Sequence, residues 1–187
     1  MAQTVMITGT GRSYALGYNM VLRYLENGDN VIATVRKESP DYDKDFFDAN
    51  LDYIAGAVDV TAVGPLRVIQ AFYPLLAKRE QMALIINISS EAGSISKCYR
   101  TNMVDYGMAK AALNMGTMNL VNEFKDNDKI NIFCVHPGWI RTNGQPDNPA
   151  PLSAYEAAEI LRKLFEEKWN DKTGPRFITN KGEAYPF

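Results

Sequence analysis

A tyrosine and a lysine four residues apart, Tyr106 and Lys110, sit in the stretch SSEAGSISKCYRTNMVDYGMAKAALNM at residues 89–115. The run YGMAKAALN predicts a helix, and at this spacing the two side chains share one face and can meet. A free phenol titrates at about pH 10, so it is a poor proton donor at neutral pH. A fixed positive charge beside it favours the phenolate and lowers that value. A tyrosine tuned in this way suits general acid–base catalysis. Upstream, Ala83 to Ile88 (ALIINI) predicts a short buried strand that ends in Ser89-Ser90. A hydroxyl at the carboxyl end of such a strand lies where open α/β sheets bind ligands. Tyr-x-x-x-Lys pairs also arise by chance on solvated helix faces. This one has company: a glycine-rich turn near the N-terminus, the Ser-Ser strand end before it and a Pro-Gly turn after it.

The elements that must position these groups follow from the hydrophobic pattern. Thr4 to Thr8 is an apolar run that stops at Gly9 and predicts a buried strand. Gly9-Thr10-Gly11-Arg12-Ser13-Tyr14-Ala15-Leu16-Gly17 follows, then a helical period from Tyr18 to Asn27 with Gly28 as its stop. Strand, glycine turn and helix are the context of a dinucleotide loop. The glycines let backbone approach a pyrophosphate, and the helix N-terminus supplies amides and positive dipole. The spacing is not G-x-G-x-x-G, and no Gly-Lys-Ser/Thr follows, so this is no P-loop. A second strand, Asn30 to Val35, ends in Arg36-Lys37, where a dinucleotide fold that grips the ribose 2′-hydroxyl of NAD carries an acid. A basic residue there suits the 2′-phosphate of NADP, with Arg12 in support; two solvated surface cations are the plainer alternative. Apolar residues recur at helical spacing from Leu51, Pro65 marks a kink or a helix start, and residues 62–78 predict an amphipathic core helix. Beyond the helix that reaches Phe124, Ile130 to Val135 predicts another strand, ending in His136-Pro137-Gly138-Trp139-Ile140-Arg141-Thr142. Ser153 and Glu156 form a capping box for a helix reaching Trp169, and Phe177 to Thr179 a last short strand.

Bulk composition bounds the function. The chain has 187 residues, 46% hydrophobic and 22% charged, which is ordinary for one globular domain, residues 1–187. A net charge of −2 gives no electrostatic case for nucleic acid or an anionic membrane. No apolar run approaches the ~20 residues of a membrane span. The start, MAQTVMITG, shows neither a basic n-region nor a long apolar h-region, so no signal peptide is expected. Cys98 and Cys134 match no metal or redox spacing, and free thiols place the protein in the cytoplasm. His136 is the only histidine, which excludes multi-histidine metal sites; no metal is expected.

Together these pieces resemble the short-chain dehydrogenase/reductase family, and within it the carbonyl-reductase branch that includes the bacterial C-factor and insect sniffer proteins. The carrying residues are TGTGRSYALG (8–17), GPLRVIQAFYPLL (64–76), INISSEAGSI (86–95), YGMAKAALN (106–114), HPGWIRT (136–142) and GEAYPF (182–187). The resemblance implies an α/β, Rossmann-type doubly wound parallel sheet and a nicotinamide cofactor, NADPH rather than NADH. It implies that Ser90, Tyr106 and Lys110 are the reactive group. Tyr106 would donate a proton to a carbonyl oxygen, Lys110 would lower the tyrosine pKa and hold ribose hydroxyls, and Ser90 would stabilise the developing oxyanion. Gly9, Gly11, Arg12, Ser13, Leu16, Gly17, Arg36, Tyr106, Lys110, Pro137, Gly138, Ile140 and Thr142 would bind the cofactor. The partners implied are a small carbonyl or alcohol and a second copy of the chain, as homodimer or homotetramer.

Three departures from the family pattern stand out. The glycine loop is longer than the usual TGxxxGxG, with Ala15 where the middle glycine falls. RSYALG is similar to the enoyl-reductase branch, but that branch's tyrosine position is Met103 here, so Tyr106 keeps the assignment. Thr61 stands where the family has an asparagine, and its shorter side chain is expected to weaken a proton relay toward Lys110. Between residues 36 and 64 the chain lacks room for one or two strand–helix units. Asp59-Val60-Thr61 could end a third strand, or Leu51 to Gly56 could form a compressed fourth. The helical period favours a third arrangement, with 40–63 leading into the next helix and both strands absent. The sheet would then close in a new order, take an edge from another chain, or lack a segment of the working protein. The sequence supports an NAD(P)(H)-dependent oxidoreductase first. A non-catalytic dinucleotide-binding or signalling protein is second, and an association module pairing through helices 64–78 and 104–122 third.

Overall fold

The computed structural model describes residues 2–35, 51–142 and 147–187, with backbone alone at 51 and 52. Contacts divide the chain into two compact units: Met1–Ser39 with Pro137–Glu167, and Pro40–His136 with Lys168–Phe187.

In the first unit, strand β1 (Thr4–Thr8) pairs in parallel with β2 (Asn30–Thr34), Thr4 opposite Asn30 and Thr8 opposite Thr34. Helix α1 (Leu16–Glu26) connects them. It ends as the sequence predicts: Gly28 takes φ +84°, and the Asp29 amide returns to the Tyr24 carbonyl at 3.0 Å. Strand β5 (Ile140–Arg141) pairs with β6 (Leu152–Ser153), and helix α5 begins at Ala154 and runs to Lys168. The capping box forms: Ser153 donates its backbone N–H to Glu156 Oε2 at 2.9 Å, and the Glu156 amide donates to Ser153 Oγ at 3.2 Å. Ile140, Ala154 and Ala157 make a buried cluster with Leu16 and Leu152 packed against it.

In the second unit the ladder order is β3 (Ala83–Ile88), β4 (Ile130–His136), β7 (Phe177–Thr179), all parallel. Every residue of β4 from Ile130 to Val135 is buried, the mark of a central strand covered on both faces. Helix α4 (Val104–Glu123) makes the crossover from β3 to β4. Before it, α2 (Leu51–Val58), a π-helical turn (Asp59–Val63) and α3 (Gly64–Leu76) form one continuous helical run. The turn is wide because Pro65, at the start of α3, has no N–H with which to close an ordinary helical bond. Leu51 to Gly56 is therefore not a strand, nor is Asp59 to Thr61 a strand end. Among the described residues both extra strands are absent, the third of the arrangements considered.

Helix α3 departs from the amphipathic core helix its spacing predicts. Only Ile69 is buried, clustered with Phe124, Ile130 and Ile132, while Phe72, Tyr73 and Leu75 are exposed. The run Tyr53–Leu76 is 24 residues long with mean hydropathy 1.2, enough by length and composition to cross a membrane, although Pro65 and charges interrupt it in sequence. Its two charges, Asp59 and Arg67, pair at 2.8 Å, and Leu66 meets α4 at Gly116.

Candidate active site

Three polar ties fix strand β3 against helix α4, and they place the predicted reactive group. Asn87 donates through Nδ2 to Thr117 Oγ1 at 2.8 Å, and Ser89 Oγ donates to Asn114 Oδ1 at 2.6 Å. Between them, Lys110 Nζ donates to the Ile88 carbonyl at 2.7 Å. Asn87, Ser89, Asn114 and Thr117 are all buried, so each needs its partner, and a slip of one residue would orphan several. Asn114 also donates to the Gly93 carbonyl at 3.1 Å, which ties the loop after β3 to the same helix.

Tyr106 and Lys110 meet as the helical spacing predicts: the ammonium lies 5.7 Å from the centre of the Tyr106 ring. The residue keeps some exposed surface, but the ammonium is densely enclosed. Burial pulls the Lys110 pKa down from 10.5 to about 8, opposed by Cys134. The Cys134 thiol responds in kind: burial pushes it up to about 11, against a Thr117 hydrogen bond and the Lys110 charge. Met103, immediately before helix α4, is held in the left-handed region at φ +58°, the one such non-glycine among the described residues. Asp105 accepts the Tyr106 amide N–H at 2.8 Å.

Gly93 lets α4 approach. A Cβ there would lie 2.8 Å from the Lys110 carbonyl carbon and 2.9 Å from its oxygen. Both atoms are backbone and cannot swing aside. Gly93→Ala is expected to lose about 1–3 kcal/mol of stability by overpacking, read as the denaturant midpoint. An unchanged midpoint would show that the loop moves freely from the helix.

Ser90 is buried, and its hydroxyl is engaged. It donates to Glu91 Oε2 at 2.8 Å and accepts the Ala92 amide N–H at 3.2 Å, capping the short 3₁₀ turn Glu91–Gly93. Glu91 Oε1 takes Arg100 at 2.5 Å. The Glu91 amide donates to His136 Nδ1 at 3.2 Å. Burial raises the Glu91 pKa, but bonds from Arg100 and Ser90 and the charges of His136 and Arg100 outweigh it, and the net shift is downward. His136 is held below its ordinary value by burial, opposed by Glu91 and aided by Arg100. Sequence reading missed this trio. Glu91 and Arg100 look like surface charges, and His136 comes from a strand 45 positions away.

Apart from Tyr106 and Lys110, which lie in the second unit, the predicted cofactor residues lie in the first. Gly9 takes φ +74°, and a Cβ on Gly17 would sit 2.7 Å from the Gly9 carbonyl oxygen, so both glycines are required by the turn. The turn is anchored by residues the sequence did not single out: Thr10 donates through N–H and Oγ1 to the Thr34 carbonyl (3.1 and 3.0 Å), and Asn19 Nδ2 donates to Ser13 and Ala15 carbonyls, each at 2.9 Å. Gly11, Arg12 and Ser13 are exposed, and no side chain caps α1. Leu16 packs into the cluster around Ile140, so its side chain is structural. Pro137 and Gly138 precede β5, Gly138 at φ +88°, and Thr142 follows it half-buried. Arg36 lies outside the described residues. Among the described residues no cluster of His, Cys, Asp or Glu could hold a metal ion.

The chain belongs to the short chain dehydrogenase family, whose model matches residues 40–151, more than half its length. It is 29% identical over 143 residues to the C-signal protein of Myxococcus xanthus, covering 74% of this chain and 82% of that one. A short-chain dehydrogenase of Pyricularia oryzae is 29% identical over 161 residues, 79% of this chain and 62% of that protein. An oxidoreductase of Schizosaccharomyces pombe is 40% identical over 81 residues, 43% of this chain and 31% of that protein. The chain thus spans less than two thirds of the length of the latter two. Among solved structures, a carbonyl reductase from Pseudomonas aeruginosa in complex with NADP superposes with TM-score 0.76 at 20% identity, covering all of both chains. The carbonyl reductase Sniffer of D. melanogaster gives 0.76 at 17% identity, also over all of both chains. At these identities the likeness is one of fold: a Rossmann-type α/β chain with parallel sheets, here shortened.

Proposed function

We propose that this chain, as a single dinucleotide-binding domain, is an NADP(H)-dependent oxidoreductase that reduces a small carbonyl compound or oxidises the matching alcohol. The observation that carries the reading is the enclosed Lys110 ammonium, tied to the Ile88 carbonyl and set against the Tyr106 ring. Tyr106 gives its phenolic proton to the carbonyl oxygen in reduction and takes it back in oxidation. Lys110 favours the phenolate by its charge. Ser90 contacts the same substrate oxygen. The Gly9–Gly17 turn fits a pyrophosphate: it excludes side chains, and the uncapped start of α1 offers amides and positive dipole. Bound there, the nicotinamide would supply or accept the hydride. Ile140 and Thr142 would contact its carboxamide, and Arg12 with Arg36 the 2′-phosphate.

The test is titration with NADPH and, separately, NADH, following Trp139 emission. NADPH is expected to bind more tightly than NADH, and a panel of aldehydes and ketones to show turnover. Arg12→Ala is expected to weaken NADPH about tenfold, the size of a charge-assisted hydrogen bond, and to leave NADH unchanged. Equal losses for both would remove Arg12 from the phosphate site. A second reading, a non-catalytic dinucleotide-binding or signalling protein, is favoured by the shortened segment between residues 36 and 64 and by Thr61. It predicts cofactor binding without turnover.

A homodimer formed through α3 and α4 is part of the proposal. Only 17% of an 18-residue window within Tyr53–Leu76 is buried, and a groove of about 780 Å³ lined by Leu66, Tyr73, Gly116, Leu120 and Phe124 runs between the two helices. Cys98 and Cys134 are unpaired, consistent with the proposed cytoplasmic location.

A further inference from the structure

Beyond β7 the chain turns back on itself. Gly182, at φ +79°, donates its N–H to the Thr179 carbonyl at 3.0 Å, and the Thr179 N–H goes to the Glu183 carbonyl at 2.8 Å. The return is antiparallel: Ile178 bridges Ala184, and the Tyr185 amide donates to the Phe177 carbonyl at 2.8 Å. The buried Phe177 ring receives two others, Tyr185 edge-on at 5.3 Å and Phe187 tilted at 5.4 Å. So anchored, Phe187 presents its main-chain oxygen to Ser96, which donates to it twice, through N–H at 3.1 Å and Oγ at 2.6 Å. One acceptor with two lone pairs fixes both the backbone and the side chain of Ser96.

Ser96 belongs to the stretch that joins Ser90 to Tyr106. Near its start, buried Ser94 returns its amide to the Glu91 carbonyl at 3.0 Å, and further on Arg100 pairs with Glu91 at 2.5 Å. Between these ties the amides of Lys97 and Cys98 bond locally, to Ser94 Oγ and the Ile95 carbonyl. Among the described residues only Ser96 there reaches another element by hydrogen bond. The stretch presents two exposed apolar side chains, Ile95 and Tyr99. A substrate whose oxygen rests between Ser90 and Tyr106 is bordered by the chain that joins them, so an apolar substituent has these two side chains to lie against. Tyr185 borders the same stretch: burial raises its pKa, and the nearby Glu91 and Tyr99 add to the rise.

We propose that residues 183–187 form a clasp that sets which carbonyl substituents bind well: through the Phe187 main-chain oxygen they hold Ser96, and with it Ile95 and Tyr99, in place for an apolar substituent. This rests on the oxidoreductase reading of the same site. Ser96 and Phe187 are positioning residues, since their task is to hold the stretch and not to meet the reacting atoms. The clasp leaves the chemistry alone. Ser90 is fixed by Glu91 and Ala92, and α4 by its ties to β3, and none of these bonds runs through Ser96. A face held rigid binds better than a loose one, because less ordering is left to binding. Loosening it removes binding shared by ground state and transition state, so KM rises and kcat holds. A carbonyl too short to reach Ile95 and Tyr99 feels nothing.

Ser96→Ala removes the Oγ bond at an exposed position and should fold as the unaltered chain does. Phe187→Ala removes the ring that rests on Phe177 and frees the main-chain oxygen from its seat. With saturating NADPH, each variant is expected to raise KM for benzaldehyde about fivefold, the size of one hydrogen bond, with kcat unchanged. KM for acetaldehyde is expected to stay where it is. Because both changes act through one contact, the double variant should resemble Phe187→Ala. A second measurement needs no turnover. Exchange of the Ser96 amide hydrogen, followed by NMR, should quicken about fivefold or more in Phe187→Ala, while the amide of Leu113, buried inside α4, keeps its rate. Equal rises in KM for both aldehydes, no rise for benzaldehyde, a fall in kcat with KM unchanged, or a Ser96 amide indifferent to Phe187→Ala overturns the proposal. Absence of turnover in the unaltered chain overturns the oxidoreductase reading instead, and Ser96 exchange then judges the clasp alone.

Discussion

Tyr106→Phe is expected to lower kcat/KM for carbonyl reduction by about 10²- to 10⁴-fold, the range of a positioned general acid. The change deletes one oxygen and keeps the ring that lies 5.7 Å from the Lys110 ammonium. The ties that hold α4 to β3 run through Asn87, Ser89, Lys110, Asn114 and Thr117, all of which the variant keeps. Stability should therefore hold within the ±0.5 kcal/mol or so of a mild substitution, and NADPH affinity should stay within about twofold. Steady-state rates on the aldehyde and ketone panel, with binding followed by Trp139 emission, separate the two effects. Turnover that persists would remove Tyr106 from the chemistry. Turnover lost together with NADPH binding would make the residue part of the cofactor site and leave the proton donor to be found elsewhere.

What the sequence discloses and what it hides divide along physical lines. Local periodicity and turn chemistry are legible. The i, i+4 meeting of Tyr106 with Lys110, the stop at Gly28, the capping box at Ser153 and Glu156, and the short strand at Phe177 all depend on residues a few positions apart, and all form. Register is less legible. Asn87, Asn114 and Thr117 are unremarkable letters until the fold sets 30 residues of separation at hydrogen-bond distance, when their burial makes them obligatory partners. Gly93 is similar, since only the close passage of α4 shows why a side chain is excluded. The Glu91–Arg100–His136 network was invisible because His136 arrives from β4, 45 positions away from Glu91. The error at α3 has another cause. A helical apolar period says that a face wants burial, not that this chain alone supplies the cover. The gap between 36 and 64 was visible by counting residues, and the helical period already favoured its outcome, a lead-in to the next helix with both strands absent. Helical propensity from Leu51 and the Pro65 boundary favoured one continuous helical run over the missing strands.

Lys110 carries the second large effect, and its pH dependence has a definite sign. Its pKa is about 8 in the folded chain against an ordinary value of 10.5. Below pH 8 both states hold the proton, so the fold bears the full cost of a buried ammonium, about 3 kcal/mol for a shift of this size. Between 8 and 10.5 the unfolded chain keeps a proton that the folded chain has released, so this contribution makes stability rise with pH. Cys134 works the other way from its ordinary 9.0 up to about 11, because the unfolded thiol ionises first, so the rise is cleanest between pH 8 and 9. Catalysis takes the opposite sign. The ammonium must be present to favour the phenolate, so kcat/KM should descend above about pH 8 as stability improves. Lys110→Met keeps the length of the side chain and removes the charge. It relieves the buried ammonium and orphans the Ile88 carbonyl, and the two terms roughly cancel at neutral pH, so the variant should fold. Its turnover is expected to fall about 10²- to 10³-fold, as when one preorganised electrostatic partner is lost. Its stability should no longer rise from pH 8 to 9. The decisive comparison is the alkaline limb of the rate profile in the two proteins. If Lys110 sets it, the limb vanishes in Lys110→Met along with the rise in stability. A limb that survives in the variant at the same pH belongs to another group, and the assignment of Lys110 as the charge that tunes Tyr106 would fall.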